Sequence, residues 1–126
     1  MSYSNILAAA TLGAVAVATG AFAAPPQLND GSYIEAERCQ ALIASSALGR
    51  ENTAGIDDLL KSENRGRDEA AYERGQDAHQ QAAREARVGG AYTKSQLIAE
   101  RDGVCQGFAA GPTMASAASH GASRSN

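Results

Sequence analysis

Cys39 and Cys105 are the only cysteines in the 126-residue chain. A disulfide holds its two Cα atoms about 5.5 Å apart, so a bridge here would force the segments around both residues to pack side by side. Whether the thiols pair depends on the compartment, and the start of the chain bears on that. Ile6 to Ala23 is an uncharged run rich in Ala, Val, Leu and Gly. It ends in Ala21-Phe22-Ala23, the small-x-small pattern that signal peptidase accepts. Cleavage after Ala23 would leave Ala24-Pro25-Pro26, an extended start that cannot continue a helix. Met1 to Asn5 carries no Lys or Arg, so only the terminal amine is positive there. The run is about long enough to span a bilayer. Its Ala and Gly partition weakly into lipid, however, and no basic stop-transfer flank follows. Residues 1–23 therefore read as a cleaved secretory signal. The mature chain is expected in the periplasm or outside the cell, away from the membrane. Two thiols of a small domain in an oxidising compartment usually pair. A loop of this length stabilises by about 4 kcal/mol. Redox activity would call for a close pair such as Cys-x-x-Cys, which the sequence lacks.

Periodicity places both cysteines on helices. Asn29-Asp30-Gly31 reads as a turn, so residues 24–31 are expected to be extended. Ser32 and Glu35 form a capping box, opening a helix to about Leu48 with Gly49 as its stop. Cys39, Leu42, Ile43 and Ser46 share one face, with Ala36 at its edge. Thr53 is an expected N-cap. From Ile56 a stripe runs through Leu60, Asn64, Arg67, Ala71, Gly75, Ala78, Ala82 and Gly89. The opposite face carries Glu69, Glu73, Asp77, Gln80, Arg84 and Arg87. This segment is either one helix to about Val88 or two, broken near Gly66. Gly89-Gly90 closes it. Thr93 and Gln96 form a second capping box, opening a helix that carries Leu97, Ile98, Arg101, Cys105 and Phe108 on one side and stops at Gly111-Pro112. Residues 112–126 are Ala-, Ser- and Gly-rich and read as a disordered tail. The expected fold is all-α: a three- or four-helix bundle over residues 32–111, closed by Cys39–Cys105, with its first and last helices side by side.

The core must be small. After Ala24, large aliphatic residues and Phe are sparse, but a net charge of −3 gives little self-repulsion, and Ala favours helix. Between Lys61 and Gln96 the only large apolar or aromatic residues are Tyr72, Val88 and Tyr92. A stripe of Ala and Gly buries little apolar area, so this middle segment is expected to be the least stable. Ala71, Gly75, Ala78 and Ala82 form its candidate surface for a protein partner or for self-association, with packing against the first or last helix as the alternative. Arg67 and Arg101 fall in or beside core-facing stripes and are expected to cover the core with their stems while the guanidinium reaches solvent.

Charges are interleaved from Asp57 to Arg87 without a basic stripe, which argues against nucleic acid and against anionic lipid. His79 has Gly75, Gln76, Ala82 and Ala83 as helix neighbours, too few ligands for zinc. His120 lies in the tail. Glu69 and Glu73 stand one turn apart on a solvated face. No serine sits in Gly-x-Ser-x-Gly, no glycines form a phosphate loop, and Cys-x-x-Cys-His is absent. No catalytic residue, cofactor or metal is expected.

The signal, Arg38-Cys39 in the first helix, a second cysteine near the end and an Ala/Gln/Arg-rich middle resemble the small, uncharacterised periplasmic helical proteins of Gram-negative bacteria. A short helical chain with one long-range disulfide is also similar in plan to the acid-activated periplasmic chaperones. Cys105-Gln106-Gly107-Phe108-Ala109-Ala110-Gly111 faintly resembles a Cys-x-Gly-aromatic-x-x-Gly stretch of some secreted immunity proteins against cell-wall amidases. The expected role is an exported, non-enzymatic binding, stress or chaperone-like module. The alternative is a specific inhibitor or immunity protein that blocks one enzyme.

Overall fold

A computed structural model describes residues 28–111. The signal over residues 1–23 and the tail over residues 112–126 lie outside the described residues. Within them the chain forms α1 (Asp30–Ala44), α2 (Ala54–Glu63), α3 (Glu69–Val88), α4 (Ala91–Asp102) and the short α5 (Gln106–Ala109), with 3-10 turns at Ser46–Leu48 and Asn64–Gly66. No strand occurs among the described residues.

The helix starts show how local chemistry sets the boundaries. Asn29, not Ser32, caps α1: its Oδ1 accepts from the Ser32 backbone N–H at 2.9 Å. The helix therefore begins inside the stretch expected to be extended. An Asn at this position satisfies an otherwise orphan N–H as well as Ser does, and Asp30 then falls in the favourable first turn. Thr53 precedes α2, but its side chain makes no cap bond; Asn52 Oδ1 accepts from the Ala54 N–H instead. The middle segment is two helices. The second starts at Asp68, whose carboxylate accepts from Ala70 and Ala71. α4 begins two residues before Thr93, after Gly90 and without a side-chain cap.

Two helices stop earlier than their periodicity suggests. α1 ends at Ala44 and passes through a 3-10 turn to Gly49, whose φ of +82° is open to glycine at little cost. α4 ends at Asp102, with Gly103 as its C-cap. Cys105 therefore sits in the turn leading into α5 instead of on a continuous last helix.

α1 is the central element. Tyr33, Ala36, Glu37, Cys39, Ala41, Leu42 and Ile43 are all buried, which covers most of its circumference. Its most extensive partner is α3, and α2 and α4 pack on it as well. Leu28, Leu48, Ile56, Leu59, Leu60, Ala82, Ala86, Leu97 and Phe108 complete the core. Cys39 and Cys105 are joined, with Cα atoms 5.2 Å apart, and both are fully buried.

Ion pairs tie the helices together. Arg38 on α1 forks onto Glu100 of α4 at 2.6 and 3.0 Å and reaches Glu85 of α3 at 3.1 Å. Its Glu100 partner, above all, raises the Arg38 pKa. Two other arginines correct the expectation that they reach solvent. The Arg67 side chain is only 7% exposed. It pairs with buried Glu63, donates to the Leu28 carbonyl at 2.9 Å and lies 4.4 Å over the Tyr33 ring. Arg101 donates to the carbonyls of Leu48 and Gly49 and pairs with Asp102 and Glu51. In both cases the unpaired carbonyls at a helix entry or exit give the guanidinium partners inside the fold, although Arg67 Nε stays buried without one.

Candidate functional site

Tyr33, Glu37 and Gln40 are spaced four and three residues apart, which stacks them on one face of α1. Together with Asp57, Leu60 and Lys61 of α2, Asn64 of the following turn, and Gln76 and His79 of α3, Glu37 and Gln40 line a cavity of about 460 Å³. A second, of about 280 Å³, lies further along the α1–α3 seam, between Ala41, Ala44, Ser45 and Ser46 on one side and Ala83 and Arg87 on the other. His79 lines both.

The floor of the larger cavity is polar and buried. Glu37 is 4% exposed. Its Oε1 lies 2.9 Å from the Tyr33 hydroxyl, which donates to it, and also receives Gln76 Nε2 at 3.4 Å. The Tyr33 hydroxyl is 2.6 Å from Asn64 Oδ1 as well, and its single proton can serve only one acceptor at a time. Burial, then the hydrogen bond to Glu37, pushes the Tyr33 pKa above its ordinary range. The Oε2 of Glu37 accepts no hydrogen bond among the described residues and lies 3.8 Å from His79 Nδ1, an ion pair when that imidazole is protonated. Gln40 Nε2 donates to Asp57 Oδ1 at 3.0 Å, which fixes the amide orientation and leaves Gln40 Oε1 buried without a donor.

Buried charges are costly unless paired, and the other two obey that rule. Glu63 has Arg67, and Arg101 has Asp102 and Glu51. Among the described residues no Lys or Arg pairs with Glu37; the basic group within ion-pair distance of it is the His79 imidazole. No three His, Cys, Asp or Glu side chains among the described residues converge as metal ligands would.

The Ala/Gly stripe lies beside this cavity, turned toward the protein's own α1. Ala71, Gly75 and Ala82 are buried, while Ala78 is half-buried. A Cβ on Gly75 would come within 2.6 Å of the Tyr33 ring and 3.0 Å of Glu37 Cγ. The stripe is thus the close-approach surface that seats Tyr33 and Glu37. Of the two readings of the stripe, packing against the first helix describes its buried residues: α1 lies against them. The sequence reading missed Tyr33, Glu37 and Gln40 because α1 was read by its aliphatic face alone. A run of small residues on α3 implies a bulky neighbour, and Tyr33 is the only aromatic residue on α1.

No family profile, no characterised protein and no solved structure matches this chain.

Proposed function

We propose that this chain is an exported, non-enzymatic helical module that binds a small ligand in the cavity over Glu37. The observation that carries the reading is a buried carboxylate beneath an open cavity that, among the described residues, is paired with no Lys or Arg. A chain that places its other buried charges in ion pairs leaves this one for a partner. Export is supported by the apolar run ending in Ala21-Phe22-Ala23 and by the Cys39–Cys105 bridge. No described helix is long and apolar enough to cross a membrane.

Ligand titrations followed by amide NMR test the binding reading. A small-molecule ligand should shift amides of Gln40, Asn64, Gln76 and His79 together; a panel of cations, anions and neutral metabolites that leaves all four unmoved sinks it. For export, intact mass of the protein recovered from the periplasm or medium should correspond to a chain starting at Ala24.

A second reading, inhibition of one enzyme, is favoured by Val88 and Tyr92, which are 78% and 75% exposed at the α3–α4 corner. Exposed aromatics are common anchors in protein interfaces. Such an inhibitor should recover a single tight partner in a pull-down, and Tyr92→Ala should abolish the capture.

A further inference from the structure

We infer that the cavity over Glu37 takes a ligand bearing a primary ammonium group. The inference rests on the reading of the cavity as a ligand site and concerns which chemistry it selects.

The buried floor of the cavity offers an acceptor, and the donors of the lining sit on Lys61, Asn64 and His79. Glu37 accepts only, and its Oε1 is already engaged by Tyr33 and Gln76. Its Oε2 has no donor within hydrogen-bond distance among the described residues. Gln40 Oε1 also lacks a donor, its amide nitrogen being committed to Asp57, but it is closed off from the cavity and does not serve the ligand. Asp57 adds a second carboxylate at the rim. An anion would meet the carboxylates of Glu37 and Asp57.

The choice among cations follows from Glu37. A guanidinium binds a carboxylate best as a fork, with both oxygens available. Here one oxygen is taken, so only a single-point contact is left. An ammonium is a compact charge with three diverging donors. One N–H can meet Glu37 Oε2 while the others turn toward the remaining acceptors of the lining. Lys61, the basic residue of the lining that could itself fill this place, is exposed on α2 and forms no ion pair with Glu37.

The test is titration of the isotope-labelled protein with 1,4-diaminobutane, followed by amide shifts. Tetramethylammonium, guanidinium and acetate serve as comparisons. Saturable shifts at Gln40, Asn64, Gln76 and His79 should appear with the diamine. Tetramethylammonium has the charge but no N–H, and it should bind at least about tenfold more weakly. Glu37→Gln keeps the shape and removes the charge, and it should weaken diamine binding by about tenfold or more. Arg84→Ala, on the exposed outer face of α3 and outside the cavity lining, should bind the diamine as the parent does. Equal binding of tetramethylammonium, or an unchanged affinity in Glu37→Gln, overturns the inference. So does saturable binding of acetate or guanidinium at these four amides without the diamine, an outcome that leaves the cavity standing as a ligand site. If none of the probes moves the four amides, the inference is overturned, and the wider ligand panel decides the fate of the cavity itself.

Discussion

Tyr33 joins the core to the cavity. Its ring is fully buried under Arg67 and against Gly75, and its hydroxyl reaches Glu37 and Asn64. Burial, reinforced by the neighbouring carboxylate, raises its pKa. The unfolded chain ionises its tyrosines near pH 10, while the folded state keeps this one protonated. Its contribution to stability is therefore full below about pH 10 and is lost as pH rises above that value toward the folded pKa. Urea midpoints at pH 8 and pH 11 check this. The parent should lose more stability over the interval than Tyr33→Phe; equal losses would show that the hydroxyl is not held protonated by the fold. At neutral pH, Tyr33→Phe should cost about 1–3 kcal/mol, because Glu37 loses a buried donor. Arg67 offers a second test. Arg67→Ala strands the Glu63 carboxylate in the interior and should destabilise by about 3–5 kcal/mol. Changing Glu63 as well, to Leu, should recover part of that loss in thermal melts, since an isolated buried charge is worse than none.

At the scale of elements, glycines show where helices meet. Glycine inside a helix normally costs about 1 kcal/mol relative to alanine, so Gly→Ala changes on α2 and α3 would ordinarily stabilise. Here the structure reverses the sign. A Cβ at Gly55 would strike the backbone carbonyl of Ala109, and one at Gly75 would strike the Tyr33 ring. Gly75→Ala and Gly55→Ala should each lower stability, by about 1–3 kcal/mol for overpacking, with Gly55 the worse because backbone yields less than a side chain. Circular-dichroism melts decide it; a rise in melting temperature for either would mean that the helices are less closely packed than described. The same positions show what the sequence could reveal. Glu69, Glu73, Asp77, Gln80, Arg84 and Arg87, read as the outer face of the middle segment, are all exposed on α3, because charge pattern alone decides a solvent face. The break near Gly66 was one of two alternatives left open by a weak helix former, and the cap that decides it, the Asp68 carboxylate, is a finding of the structure. The cap of α1 and the early ends of α1 and α4 were not legible. Several Asn, Ser and Thr residues compete at each start, and only tertiary contacts choose among them. The cavity was hidden for a related reason. Its floor consists of polar residues whose burial depends on α3 approaching α1 closely, and a helical wheel of one segment carries no record of that approach.

For the molecule as a whole, the question is which part opens first. Sparse apolar residues between Lys61 and Gln96 point to the middle segment, on the principle that local stability follows apolar contact density. The packing points elsewhere. α3 lies along α1, with Ala71, Gly75, Ala82 and Ala86 buried in the seam, and small side chains there buy close approach. α4 buries only Leu97 and Arg101. It is held by the Arg38–Glu100 fork, by Arg101 on the Leu48 and Gly49 carbonyls, and by the Cys39–Cys105 bridge just beyond its end. That bridge closes a loop with a sequence separation of 66, worth about 4 kcal/mol against a typical total of roughly 5–15 kcal/mol. Reduction should therefore release the C-terminal part before the rest. Native-state hydrogen exchange, with and without a reductant, tests the order. In the oxidised protein, amides of α1 and α3 should be protected to a similar degree. After reduction, Leu97 to Phe108 should lose protection first, while Cys39 to Ile43 and Gly75 to Ala86 retain much of theirs. A Cys39→Ala, Cys105→Ala double variant should behave like the reduced protein and lie about 2–5 kcal/mol below the parent. If Arg67 to Arg87 instead exchange fastest in the oxidised protein, then small-residue packing contributes less than the thin apolar content takes away. The cavity floor, which that seam builds, would then be organised only when a ligand is bound.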